Sequence, residues 1–320
     1  MRPTVALPES VTWRVQLDRA MWVAGVRALM LQALHPVAMQ GVWQRSDFLE
    51  NPTGRLLRTA DFVATTTYGS PDEAEELGER VRSVHRRLAF TDPATGERRH
   101  ADDPDLLVWV HCAEVVSYLE VVTRAGLRLT RADADAYLAE QTRTAGYVGL
   151  DPGDVPGSLA DMRGYLARTR PLLRVTREAE LTVRFLLWPR VPRRLRRLAP
   201  LKPLWLPIGA LSYYTLPGWA RGAYGTLPEL PGTQEAATAG LRAVRAALHL
   251  TPDTLYNRLF DEVTVRRARL ARLRLEAAGY DLRKGFRAIA RDPARSHARR
   301  GTSGLPPHPG RPDGALPEPG

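Results

Sequence analysis

The chain has 320 residues, 44% of them hydrophobic and 25% charged, which excludes a disordered or collagen-like protein and gives ample material for one large core. Its net charge of +11 is nearly all arginine, lysine standing only at Lys202 and Lys284. One cysteine, Cys112, excludes an internal disulfide and a cysteine zinc cage. The charge is uneven: residues 168–202 hold eleven Lys or Arg against two Glu, and residues 283–320 eight against three acids. The remainder is slightly acidic, so the charge marks a patch and a tail rather than a nucleic-acid-binding domain, and no specific nucleic-acid motif is present.

In chain order, the first twenty residues lack the apolar stretch of a signal peptide, and cytoplasm is the expected compartment. Apolar spacing predicts helices near 10–32 and 36–45, the second opened by Pro36. Asn51-Pro52 and Ser70-Pro71-Asp72-Glu73 carry helix-start chemistry, an N-cap followed by proline and first-turn acids, for helices near 52–67 and 71–90. Residues 91–103 read as a polar loop with a small hairpin about Thr95-Gly96. Asp103-Pro104, Thr130 with Asp133, Ser158 with Asp161, and Thr251-Pro252 open further helices near 104–125, 131–147, 158–167 and 252–278. Others are expected near 176–187, 204–215 and 234–248. Pro203–Ala220 is the longest uncharged stretch, but Pro207, Gly209, Pro217 and Gly218 spoil it as a spanning helix. From Lys284 the chain turns Pro-, Gly- and Arg-rich and cannot bury enough apolar surface to order itself. The expected fold is all-α, a single domain over 1–283 with a disordered tail over 284–320.

Several polar residues sit on apolar faces. In RVRSVHRRL, Leu77, Val81, Val84 and Leu88 form one face, and His85 lies among them. Leu107, Val110, Val115 and Tyr118 share theirs with His111 and Glu114, three apart and therefore neighbours. His35 ends an apolar stripe before Pro36. Arg55, Arg58 and Thr59 line one side of another helix. Each has an ordinary explanation: satisfied core histidines, a buried hydrogen bond locking two helices, a solvated arginine face, a small core cysteine. Zinc would want three or four convergent ligands, and a di-iron bundle paired Glu-x-x-His motifs. No HExxH occurs, and the di-iron pattern appears only once and reversed, as His111-x-x-Glu114. Haem needs one imidazole in an apolar pocket and cations for its propionates, which His85 and the arginines can meet.

The blocks LMLQALHPVAMQGV, NPTGRLLRTADFVATTTYGSPDEAEELGERVRSVHRRL, DPDLLVWVHCAEVVS and LPGWARGAYG, in that order, resemble the bacterial branch of a haem oxygenase family. That family includes the latex-clearing proteins (rubber oxygenases) and the fungal mycophenolic-acid-pathway oxygenase, and the similarity spans about residues 12–230. It implies a globin-like helical domain around haem b, with dioxygen and a small apolar substrate, alkene- or isoprenoid-like, as reactants. It assigns His85, in Arg82-Ser83-Val84-His85, as the iron ligand and places Arg82 with it among the expected cofactor-binding residues. The family's Arg-x-x-Lys-Thr motif reads Arg55-Leu56-Leu57-Arg58-Thr59 here. Arginine stays protonated and offers no lone pair, so Arg58 cannot ligate iron as that lysine can. Arg55, Arg58 and Thr59 are expected to donate to bound dioxygen or a propionate. The family's pocket glutamate has no aligned counterpart; only Asp47 and Glu50 lie between Pro36 and Arg55. His35 and His111 are expected to hydrogen-bond a propionate or the pocket.

Two other classes stay open: a haem-free scaffold on the same fold, and a membrane-surface protein. For the latter, residues 184–208, RFLLWPRVPRRLRRLAPLKPLWLPI, mix arginines with Trp188 and Trp205 in a pattern suited to lipid headgroups.

Overall fold

The computed structural model describes residues 10–45, 52–188 and 205–252, with side chains from 58 onward in the second segment. Every described residue lies in one compact unit. The fold is all-α. Twelve α-helices are described: α1 Val11–Gln16, α2 Met21–Gln32, α3 Pro36–Arg45, α4 Pro52–Tyr68, α5 Pro71–Arg87, α6 Pro104–Arg124, α7 Arg131–Ala145, α8 Leu159–Thr169, α9 Arg177–Leu187, α10 Trp205–Tyr214, α11 Gly218–Tyr224 and α12 Thr233–Leu250. A two-stranded antiparallel hairpin, β1 Ala89–Thr91 and β2 Arg98–His100, separates α5 from α6.

The core is built on α2 and α6, which are apolar around most of their circumference. Val23, Ala24, Val26, Met30 and Leu31 meet Trp109, Cys112, Ala113, Val115, Val116 and Leu119 in one buried cluster. Two hydrogen bonds fix the pair: Trp109 Nε1 donates to the Gln32 carbonyl (3.0 Å), and Gln32 Nε2 donates to the Val110 carbonyl (3.0 Å). The later helices lean on α2 through buried hydroxyls. Ser212 Oγ donates to the Val23 carbonyl (2.9 Å) and Tyr224 Oη to the Met30 carbonyl (2.7 Å).

Local chemistry explains the element boundaries. Ser70 and Glu73 form a reciprocal capping box at the start of α5, and Thr130 and Asp133 do so at α7. Ser158 Oγ accepts from the Asp161 backbone N–H at 3.1 Å. Asp103 behaves differently from the expected cap: its carboxylate turns to Arg99, at 2.5 Å, and tethers β2 to α6.

Three expectations need correction. The single helix near 10–32 is two, broken at 17–20. There Asp18 Oδ1 accepts from the Ala20 N–H, and Oδ2 pairs with Arg245 of α12 at 2.6 Å. Burial pushes the Asp18 carboxyl pKa up, but bonds from His249 and Arg245 more than offset it and hold it below the usual range. The helix near 71–90 stops at Arg87, because 89–91 pair with 98–100 as β1, the expected hairpin. The stretch after Pro217 forms α11, which proline punctuation hides. Helix 252–278, the tail 284–320, and Asp47 and Glu50 lie outside the described residues, as does most of the basic patch.

Candidate functional site

The helix α5 that carries His85 is strongly amphipathic and packs on α4 and on the 3-10 turn Gly146–Val148. Gly78 permits that contact: a Cβ there would lie 3.0 Å from the Tyr147 carbonyl oxygen. Arg82 reinforces the joint. Its guanidinium bonds Glu75 (2.7 Å), Glu79 (2.8 Å) and the Tyr147 carbonyl (3.2 Å), so Arg82 holds α5 to the turn. His85 stands half-buried in the last turn of α5, with Nδ1 buried. The apolar face around it is incompletely covered; Leu77, Val81 and Leu88 are half-buried and Val84 is 45% exposed.

On α4, Arg58 is exposed and Thr59 half-buried. The Arg55 side chain lies outside the described residues. Deeper along the helix, Thr65, Thr66 and Thr67 are buried, and Thr66 Oγ1 donates back to the Phe62 carbonyl at 2.9 Å. His35 caps α3: its Nδ1 accepts from the Ala38 N–H at 3.3 Å, and its ring lies 6.1 Å from Trp109. Burial lowers its pKa, with Asp105 opposing, so the ring stays a neutral acceptor.

The most developed polar cluster is on α6 and α7. His111, Glu114 and Tyr118 succeed one another on one face of α6, and Tyr137 and Gln141 face them from α7. The His111 ring hydrogen-bonds the Gln141 backbone, while Nε2 is buried with no partner among the described residues. Burial depresses its pKa to about 4, so the imidazole is neutral at pH 7. Glu114 bonds Tyr118, and burial raises its carboxyl to about 7. Burial, with the Glu114 charge adding to it, lifts the Tyr118 and Tyr137 phenols far above their ordinary range. Gln141 Nε2 donates to Thr12 Oγ1 (2.9 Å), tying α1 into the network. His111 and Glu114, expected as a pair, thus turn to different partners: His111 reaches Gln141 on α7, whereas Glu114 stays with Tyr118 on α6.

Chemically, this cluster offers one uncommitted imidazole nitrogen and one carboxyl poised near neutrality. A neutral imidazole anchored through one nitrogen to a carbonyl, with the other free, is the usual arrangement of an iron-binding histidine. In that respect His111 carries the donor chemistry that a haem iron needs. Among the described residues no three His, Cys, Asp or Glu side chains converge on a common point, so a bare metal ion finds no such cage there. Cys112 is buried, its thiol pushed up to about 12, and is a core residue without nucleophilic character.

Sequence reasoning missed Tyr137, Gln141 and Arg27. The signals existed: Tyr137 and Gln141 are four apart on the face with Ala134 and Leu138, and Arg27 is the one charge in MWVAGVRALMLQ.

Fold and site define a helical domain with a polar constellation enclosed by its core helices. The profile of the family described as ER-bound oxygenase mpaB/B′/rubber oxygenase, catalytic domain, matches residues 13–250. The chain belongs to this oxygenase family. No curated protein and no solved structure matches it.

Proposed function

We propose that this oxygenase works with haem b, held by His85, on a small apolar substrate. Family membership over 13–250 is the observation that carries the reading. The inward imidazoles and the half-covered apolar face of α5 support it. Haem b, when bound, supplies the binding and activation of dioxygen.

The chain's own residues do the rest. His85 would hold the iron through its imidazole. Arg58, on the exposed side of α4, and Arg55 supply fixed positive charge for propionates or for negative charge developing on oxygen. Thr59 offers a hydroxyl donor on the same helix. Glu114, neutral up to about pH 7, keeps a proton on its carboxyl beside the Tyr118 hydroxyl and can release it near neutrality. His111, held by Gln141, keeps Nε2 available as a second acceptor or ligand. Aliphatic side chains of α5 and α6 favour an apolar substrate, an alkene or isoprenoid being the class the family suggests. Peripheral membrane contact through residues 184–208 is compatible with drawing such a substrate from lipid.

The ultraviolet–visible spectrum of purified protein, before and after dithionite, tests this. A Soret band is expected, lost or strongly shifted in His85→Ala and retained in Arg82→Gln. A band unchanged in His85→Ala but lost in His111→Ala would move the ligand to α6. A colourless protein that takes up no added hemin would overturn the haem reading.

A further inference from the structure

Away from the α6–α7 cluster, a partly enclosed cavity of about 180 Å³ lies between α2, α6, α8 and the segment leading into α11. Leu31, Val116, Leu166, Pro217 and Trp219 supply its apolar lining, Arg27 and Arg170 its positive charge and Glu120 its one negative charge. Arg27 is 1% exposed. Its Nε donates to the Thr215 carbonyl (2.9 Å) and its Nη2 to Glu120, a half-exposed carboxylate. Nη1 is buried without a partner among the described residues. A buried cation with an orphaned donor is costly, because desolvation is not fully offset. The Arg170 guanidinium lies over the Trp219 ring, 4.1 Å from its centroid, which presents it rigidly at the opening.

Charge around the cavity is unbalanced. Burial, and then the Arg221 and Arg27 charges, lower the pKa of neighbouring Arg124. Arg221 has Glu229 as partner at 2.8 Å, so Glu120 is left as the carboxylate for Arg27. The lining therefore sets two guanidiniums against one carboxylate, and the rest of it is hydrocarbon.

We infer that this cavity is a binding site for a small amphipathic carboxylate, its head group between Arg27 and Arg170 and its chain on Leu31, Val116 and Leu166. Arginine suits the head group because its planar fork pairs with a carboxylate. The volume equals about six waters, enough for a short hydrocarbon chain and too small for a porphyrin. The site stands apart from the haem reading and does not rest on it.

Isothermal titration of the purified full-length protein with hexanoate, acetate and hexanol tests the inference. Hexanoate should bind saturably at one site, at least about tenfold tighter than hexanol, which lacks the charge, and than acetate, which lacks the chain. Arg170→Gln should weaken hexanoate about tenfold, and Leu166→Trp, which fills the cavity, should abolish binding. Both positions are only partly buried, and circular dichroism confirms that the variants fold. If either does not, the ranking of the three ligands on the unaltered protein decides. Hexanol binding as tightly as hexanoate, no saturable hexanoate heat, or unchanged affinity in both folded variants would overturn the inference.

Discussion

At the scale of single residues, His111 and Glu114 face each other's consequences through pH. Burial raises the Glu114 pKa from 4.5 to about 7, so the folded state keeps a proton that the unfolded state releases. Its stabilising effect is complete below about pH 4.5 and is lost as pH rises to about 7. Burial lowers the His111 pKa from 6.5 to about 4, so the unfolded state takes up a proton that the folded state refuses. That contribution is complete above about pH 6.5 and is lost as pH falls to about 4. Each is worth on the order of 3 kcal/mol over its window, and between about pH 4.5 and 6.5 they oppose and nearly cancel. Together the two groups should therefore add almost no slope of their own to stability across that window. Glu114→Gln should unmask a rise in stability with pH across that window, and His111→Gln a fall. Urea denaturation at several pH values measures both, and parallel curves for all three proteins would show that neither group is desolvated.

At the scale of elements, α5 is held by its ends and by one close contact. Ser70→Ala removes half of the capping box and should cost about 1 kcal/mol. Gly78→Ala puts a methyl 3.0 Å from the Tyr147 carbonyl, a rigid backbone atom, and should cost about 1–3 kcal/mol. The two effects also separate in their reach. The cap lies at the opposite end of α5 from His85, whereas the Gly78 contact sets how α5 sits on the 3-10 turn. If His85 holds haem, Gly78→Ala should shift the Soret maximum while Ser70→Ala leaves it in place. Thermal melts and spectra of the two variants provide the comparison. The same scale shows why some boundaries escaped sequence reading. The periodicity of 10–32 is continuous, and the break at 17–20 comes from Asp18 meeting Arg245, more than two hundred residues later. Capping boxes and Pro-initiated starts were legible because their partners lie within four residues.

At the scale of the whole molecule, α6 is the described helix long and apolar enough to cross a membrane, yet 72% of that stretch is buried inside the fold. A membrane role would rest instead on the surface near the basic patch. Trp188 is 52% exposed and Leu206 39% exposed, and they flank residues that hold five arginines and a lysine. Flotation with anionic vesicles is the expected outcome at low salt, fading as salt screens the arginines, whereas neutral vesicles should leave the protein behind. Flotation unaffected by salt and lipid charge would assign the contact to the apolar residues alone.

Composition and periodicity by themselves determined that the chain is helical, where most helices begin, and that His85, His111 and Glu114 point off the solvent face. Each of those follows from forces acting within a few turns: caps, proline geometry and the 3.6-residue repeat. Only the tertiary structure decided which polar groups meet. It set Arg82 on the Tyr147 carbonyl, laid His35 near Trp109, joined His111 to Gln141, and left Arg27 facing a cavity. Such pairings depend on which helix faces bury one another, and burial decides whether an imidazole or carboxyl is charged at all.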